Sequence, residues 1–247
     1  MAQKIAFITG ANRGIGLQTA LDLKNHDVLS IIGSRDLSHG EAALAKLHAA
    51  GVQAELIRFD VTQPADHLAA HDYIAQHHGH LDILVNNAGV ASGAFPPVGP
   101  EHKASEMSLD TLRRIFETNF FAQVALTHAL LPLLKLSPAG RIVNLSSILG
   151  SNTIQADTKS PFYSAKSFAY DASKSALNSL TIHLACELRD TNIKVNSAHP
   201  GWVKTDMGGP QAPMELSEGG KTSAALATLS NGGPSGGFFH QGQTLPW

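Results

Sequence analysis

Cysteine is almost missing from this 247-residue chain. Cys186 stands alone, so no internal disulfide can form, and a reducing, cytoplasmic setting is expected. Charge is sparse as well: charged residues make up 15%, the net charge is −2 with histidines neutral, and no lysine/arginine run occurs. That balance argues against nucleic acid or an anionic membrane as the main partner. No apolar run approaches the roughly 20 residues of a membrane span. The opening MAQKIAFITG lacks the charged region, apolar run and cleavage site of a secretory signal. Histidine is plentiful, with five at His67, His71, His77, His78 and His80, but no HExxH pattern or cysteine set accompanies them. The expectation there is a solvated helix face and no metal.

What is present is a core: hydrophobic residues make up 43% of the chain, enough to exclude disorder. Short apolar runs at 4–9, 28–33, 54–59, 81–86, 140–146 and 193–198 read as buried strands, with 236–240 a candidate for a last one. Helical patterns at 14–25, 39–50, 64–78, 108–135 and 168–189 fall between them. The alternation predicts a single doubly wound α/β domain over 1–247, a mostly parallel sheet of about seven strands with helices on both faces. Segments 90–107 and 200–220, broken by Gly and Pro, leave the carboxyl ends of strands, where such sheets bind ligands.

TGANRGIG, residues 9–16, joins the first strand to the first helix. Gly10 permits a tight turn, Gly14 lets phosphate approach the backbone, and Gly16 allows close helix packing. The helix N-terminus then suits a pyrophosphate, the mark of a Rossmann-type domain. No Gly-Lys-Ser/Thr follows, which excludes a phosphate-transfer loop.

The G-x-x-x-G-x-G spacing, Asp60-Val61 after the third strand, NNAG (86–89) after the fourth, Asn119 in ETNFF, the serines at 146–147, Tyr170-x-x-x-Lys174 and PGWVKTDM (200–207) occur in one order along nearly the whole chain. Together they resemble the short-chain dehydrogenase/reductase family. GSRD (33–36), PGWVKTDMGG and the final Trp247 are most similar to its NADPH-dependent carbonyl reductase branch. The resemblance implies a nicotinamide cofactor held by Gly10, Asn12, Arg13, Gly14, Ile15 and Gly16. It places Asp60 and Val61 on adenine, Asn87, Ala88 and Gly89 on a ribose, and Pro200, Gly201, Val203 and Thr205 around the nicotinamide. Where similar members carry a discriminating acid, this chain has Ser34, followed by Arg35. Arg35 and Arg13 can pair with a 2′-phosphate, which favours NADP(H) over NAD(H). Asp36 is read as the start of the next helix.

FYSAKSFAYDASKSALN (162–178) offers two tyrosine–lysine pairs. Residues four apart share a helix face, so Tyr170 and Lys174 can enter one cleft, and the cation is expected to lower the phenol's pKa. Tyr163, with Lys166 three residues on, lies in a polar stretch beside Pro161. Its 16-residue distance from Ser147 is nearer the family's usual gap than the 23 residues to Tyr170. The helix running on from Tyr170 through SALN matches the family, so 151–166 is read as an insertion, and Tyr163 as a surface residue. Ser147, before two apolar residues and Gly150, matches the catalytic serine; Ser146 is left a structural part. By resemblance Asn119 anchors a water near the lysine.

The implied reaction is NADPH-dependent reduction of a ketone, aldehyde or quinone, with Tyr170 as general acid, Lys174 holding the nicotinamide ribose and Ser147 binding the carbonyl oxygen. The same residues can run in reverse as an NADP-dependent alcohol dehydrogenase. A non-catalytic NADP-binding sensor or scaffold is a third reading, though such proteins should lose the tyrosine, lysine or serine. Phe95, Pro96, Pro97, Phe162, Trp202 and Met207 are candidates for an apolar substrate pocket. The expected partner is a small-molecule carbonyl. Monomer and homo-oligomer both stay open: relatives pair through helices matching 108–135 and 168–189, and in the similar carbonyl reductases an insertion before the tyrosine accompanies a monomer.

Overall fold

The computed structural model describes residues 3–93, 97, 99 and 102–247. One eight-stranded sheet runs through it in the order β3-β2-β1-β4-β5-β6-β7-β8. The strands are β1 (Lys4–Thr9), β2 (Val28–Ser34), β3 (Ala54–Arg58), β4 (Ile83–Asn86), β5 (Arg141–Leu145), β6 (Lys194–Ala198), β7 (Phe238–His240) and β8 (Gln243–Thr244). All are parallel to their neighbours except β8, which pairs antiparallel with β7. The expected sheet had about seven strands; the eighth comes from a tight hairpin at Gln241 (φ 45°) and Gly242 (φ 81°), both left-handed as such a turn requires.

Strand residues alternate between two cores. Phe7, Ile31, Leu84, Ile142 and Val195 face one side. Ile8, Ile32, Val85 and Val143 face the other. α3 (Pro64–His77), α5 (Ala122–Lys135) and α7 (Phe168–Glu187) cover the first face. α1 (Gly14–Asp22), α2 (Leu37–Ala49) and α9 (Lys221–Ala227) cover the second. Short helices α6 (Asn152–Ala156) and α8 (Leu216–Gly219) lie in the segments 151–166 and 200–220 read as loops.

The helix expected over 108–135 is interrupted. α4 (Leu109–Phe116) passes into a wide π-turn, Glu117–Phe121, before α5. Asn119, buried in that turn, accepts from the Val90 N–H at 2.8 Å and donates to Val90 O and Ser173 Oγ at 2.9 and 3.0 Å. Three bonds to neighbouring segments hold the distortion in place, and such turns cluster at functional sites. His67 also departs from the solvated face expected of α3. It is buried, with Nε2 2.6 Å from Val61 O. Among the described residues, no helix is long and apolar enough to cross a membrane.

Candidate active site

The chain order reverses between β1 and β4, and the loops leaving their carboxyl ends diverge to open a crevice. The glycine loop fills one wall. Gly10 (φ 63°) and Gly14 (φ 58°) adopt left-handed backbone, which other residues rarely hold. A Cβ added at Gly14 meets only Thr205 Cγ2, at 3.9 Å, so the backbone there is bare toward the crevice. At Gly16 a Cβ would come within 2.5 Å of Asn87 Nδ2 and 2.9 Å of Ala11 Cα. Asn87 is the reason for that closeness: its amide donates to Thr9 O at 2.7 Å and Gly10 O at 3.2 Å, tying the loop to the end of β4. The N–H groups of Asn87 and Ala88 both donate to Thr9 Oγ1. Asn12 and Ile15 lie in the same loop and helix start, Ile15 also lining the cleft. A bare, left-handed loop opening α1 fits a dinucleotide pyrophosphate.

Farther along the edge, Asp36 caps α2 by accepting from the His39 N–H at 3.1 Å, and Ser34 Oγ donates to Asp36 O. Arg35, between them, is exposed. Asp60 Oδ1 accepts from Thr62 N–H and Oγ1 at 3.0 and 2.8 Å, presenting an ordered turn beside buried Val61. Arg13 reaches across the mouth of the crevice to Asp206 at 2.5 Å, both side chains exposed. A 2′-phosphate would compete with that carboxylate for the guanidinium.

β5 and α7 bring the chemical groups together. Ser147 is the N-cap of the short turn after β5, its Oγ accepting from the Leu149 N–H at 3.2 Å. Tyr170 lies in the first turn of α7 and lines the cleft together with Ser147. Lys174 is buried one turn on, its Nζ donating to Leu145 O at 2.7 Å and standing 5.7 Å from the Tyr170 ring centre. Gly89 leaves the floor open here: a Cβ would lie 3.4 Å from Asn119 Oδ1 and 3.5 Å from Lys174 Nζ. Ser146, which also borders the cleft, donates to Lys174 O at 3.4 Å.

The electrostatics differ from the sequence expectation. Burial pushes the Tyr170 phenol up to about 12; the Ser147 hydrogen bond pulls it down and Asp171 pushes it further up. Lys174 does not offset this, because burial pushes the lysine itself down to about 8. Asp171 is pushed up to about 7, chiefly by burial. His199, at the end of β6, is held far below the usual range, at about 3, by burial and by His240 nearby. Its Nδ1 accepts from the Ile148 N–H at 3.2 Å, so the neutral ring carries its proton on Nε2.

Tyr163 is not among the residues lining the cleft. It is exposed, and Lys166 lies over its ring at 4.8 Å. The cleft, about 820 Å³ out to its mouth, is lined by Ser147, Tyr170, Pro97, Phe162, Trp202 and Met207. Pro200, Gly201, Val203 and Thr205 line its cofactor side. Phe95 and Pro96 lie outside the described residues. Two lining residues, His102 and His199, were not anticipated. His199 carried a signal in its place just before PGW; His102 sits in an aperiodic loop that gave none. Among the described residues, no group of three or more His, Cys, Asp or Glu side chains is arranged to hold a metal.

A nucleotide-binding crevice beside a tyrosine–lysine–serine group, the lysine and serine buried and the tyrosine half-buried, defines an oxidoreductase of the dehydrogenase type. Residues 4–216 match the family pattern of short chain dehydrogenases, and the chain belongs to that family. It is 31% identical to carbonyl reductase (NADPH) 1 of Mus musculus over 100% of this chain and 99% of that protein. The Homo sapiens protein of the same name is also 31% identical, with 98% of each chain covered. Among solved structures, NADPH-bound carbonyl reductase from chicken fatty liver superposes with a TM-score of 0.84 at 28% identity, both chains fully covered. The carbonyl reductase Sniffer of D. melanogaster gives 0.82 at 30% identity, again over both full chains.

Proposed function

We propose that this chain is an NADPH-dependent carbonyl reductase, taking a ketone, aldehyde or quinone to its alcohol. The observation that carries the reading is the meeting of Tyr170 and Ser147 in the lining of one largely apolar cleft, with Lys174 buried one turn behind the phenol. Such a phenol is protonated at neutral pH and available as a donor, the state that reduction needs.

NADPH, when bound, supplies the hydride. The glycine loop and the N-terminus of α1 hold its pyrophosphate, and Arg35, with Ser34 in place of an acid, receives the 2′-phosphate. Tyr170 gives its proton to the carbonyl oxygen, and Ser147 donates a hydrogen bond to that oxygen as charge develops on it. Lys174, buried and pushed down to about 8, exchanges protons near neutrality and serves to restore the phenol. The Asn119 side-chain amide is fully committed to Val90 and Ser173, so its part is to hold the π-turn open beneath the lysine. Phe162, Trp202, Met207 and Pro97 favour a substrate with an apolar body. The names of the similar NADPH carbonyl reductases support the same cofactor and direction. A reducing, cytoplasmic setting fits the free, exposed Cys186.

The test is initial-rate loss of reduced-nicotinamide absorbance with NADPH and NADH across quinones, aromatic aldehydes and apolar ketones. NADPH-dependent turnover is expected, with NADH much weaker. Tight NADPH binding without turnover on any carbonyl would overturn the reductase reading.

A further inference from the structure

The ladder between β5 and β6 stops at the edge of the cleft. One of its last bonds runs from the Ser146 N–H to Ala198 O at 2.8 Å. Pro200 has no N–H with which to carry the pairing on. The chain leaving β5 turns away through Ser147 into the short 3₁₀ turn Ile148–Gly150. The leading N–H groups of such a turn need acceptors from outside it. Ser147 Oγ accepts from Leu149 at 3.2 Å, and Ser147 O accepts from Gly150 at 2.8 Å. The Ile148 N–H, first in the turn, is served by neither. It donates to a side chain 51 residues away, Nδ1 of His199, at 3.2 Å.

His199 is placed to supply that lone pair. The residue is buried, its own N–H donates to Phe239 O at 2.8 Å, and its O accepts from His240 Nδ1 at 2.9 Å. β7 thus fixes the backbone that carries the ring. The His240 ring packs against it, with centres 4.9 Å apart. Held down at about 3 by burial and by His240, the imidazole stays neutral near pH 7, and Nδ1 keeps its lone pair for Ile148. His199 and Ile148 line the cleft together with Ser147 and Tyr170.

The consequence falls on Ser147. A hydroxyl has one proton and two lone pairs, and one lone pair already holds the Leu149 N–H. With Ile148 served by the imidazole, the turn makes no further demand on Ser147 Oγ, and its proton is left for an oxygen in the cleft. Without the imidazole the Ile148 N–H is buried and unpartnered, a costly state that the turn relieves by shifting. Ser147, as N-cap of that turn, shifts with it.

We infer that His199 is a positioning residue for carbonyl reduction: by accepting from the Ile148 N–H it fixes the turn that aims the Ser147 hydroxyl at the substrate oxygen. The inference rests on the carbonyl reductase reading and adds to it a residue that acts through Ser147 rather than on the substrate.

Two amides separate this role from simple packing. An asparagine side chain puts its oxygen where the imidazole has Nδ1, whereas glutamine puts its polar end where the imidazole has Nε2. With NADPH and 4-nitrobenzaldehyde, His199→Asn is expected to keep kcat within about threefold of wild type, and His199→Gln to lower it about 10–100-fold. KM for both substrates should change less than about twofold in either. In a Ser147→Ala background His199→Gln should cost less than about twofold more, because the hydroxyl it misplaces is already gone. Equal kcat in the two His199 variants, or losses that multiply in the double variant, would overturn the inference. Amide hydrogen exchange at Ile148 needs folded protein and no turnover: protection is retained in His199→Asn and lost in His199→Gln, and equal protection would overturn the clasp. Wild type without turnover, but with that difference in exchange, sinks the reductase reading alone; turnover with equal exchange sinks the His199 inference alone.

Discussion

Tyr163–Lys166 and Tyr170–Lys174 present the same two functional groups, one helical span apart in the chain, yet they occupy opposite environments. The first pair is in water: Tyr163 is 44% exposed and Lys166 donates to Gln155 O. The second is packed between β5 and α7, with Lys174 only 3% exposed and tied to Leu145 O. Burial moves both members of the second pair, the phenol up and the ammonium down. A tyrosine beside a lysine is therefore not enough. What separates the second pair is its place on a 20-residue helix that brings both groups to the carboxyl edge of the sheet, beside Ser147.

The sharpest way to break this contrast is to remove each lysine in turn. Lys174→Ala is expected to lower kcat/KM by about 10²–10³-fold and Lys166→Ala by less than about twofold. Equal losses in the two variants would erase the distinction. With wild type, the rate should fall as pH rises past about 8, where Lys174 gives up its proton, and this limb should vanish in Lys174→Ala. Ser147→Ala comes next with a loss of about 10²-fold, carried mainly in kcat, because its bond to the substrate oxygen strengthens as charge develops. Ser146→Ala serves as the contrast, with a loss visible in thermal melts rather than in kcat.

Away from the chemistry, Gly16→Ala places a Cβ against Asn87 and Ala11. It should cost about 1–3 kcal/mol of stability and weaken NADPH binding, read by melting and fluorescence titration. A further effect is on the pH dependence of stability rather than on catalysis. Asp171 has its folded-state value raised to about 7 from an ordinary 3.8, so the folded protein holds that proton more tightly than the unfolded chain. Its contribution is full below about pH 4 and is lost as pH climbs toward 7. Asp171→Asn should remove this loss, so its stability relative to wild type grows between about pH 5 and 7 in denaturant titrations and levels off above.

Much of the fold was legible because its signals are local. The strands alternate with helices and end on Gly, Asn or Ser, and the glycine loop announces its own left-handed backbone at Gly10 and Gly14. Helical spacing put Tyr170 and Lys174 on one face, and the resemblance of the helix running on through SALN chose that pair over Tyr163 and Lys166. The π-turn at Asn119 could not be read, since it depends on Val90 and Ser173, 29 and 54 residues away. The hold of His199 on the Ile148 N–H is equally nonlocal, its partners 51 residues apart in the chain. The upward push on the Tyr170 phenol was not legible because the sequence shows the neighbouring lysine but not the burial around the ring. His67 turned inward against the polar pattern around it for a similar reason: Val61 O, reached only in the fold, gives its ring a partner.

The most direct measurement is single-turnover reduction of a quinone by protein preloaded with NADPH, monitored as loss of cofactor absorbance in wild type, Tyr170→Phe and Tyr163→Phe. The burial-based account predicts a loss of at least about 10³-fold in Tyr170→Phe and a change within about twofold in Tyr163→Phe. Retained hydride transfer in Tyr170→Phe, or its loss in Tyr163→Phe with the protein still folded and binding NADPH, would contradict it.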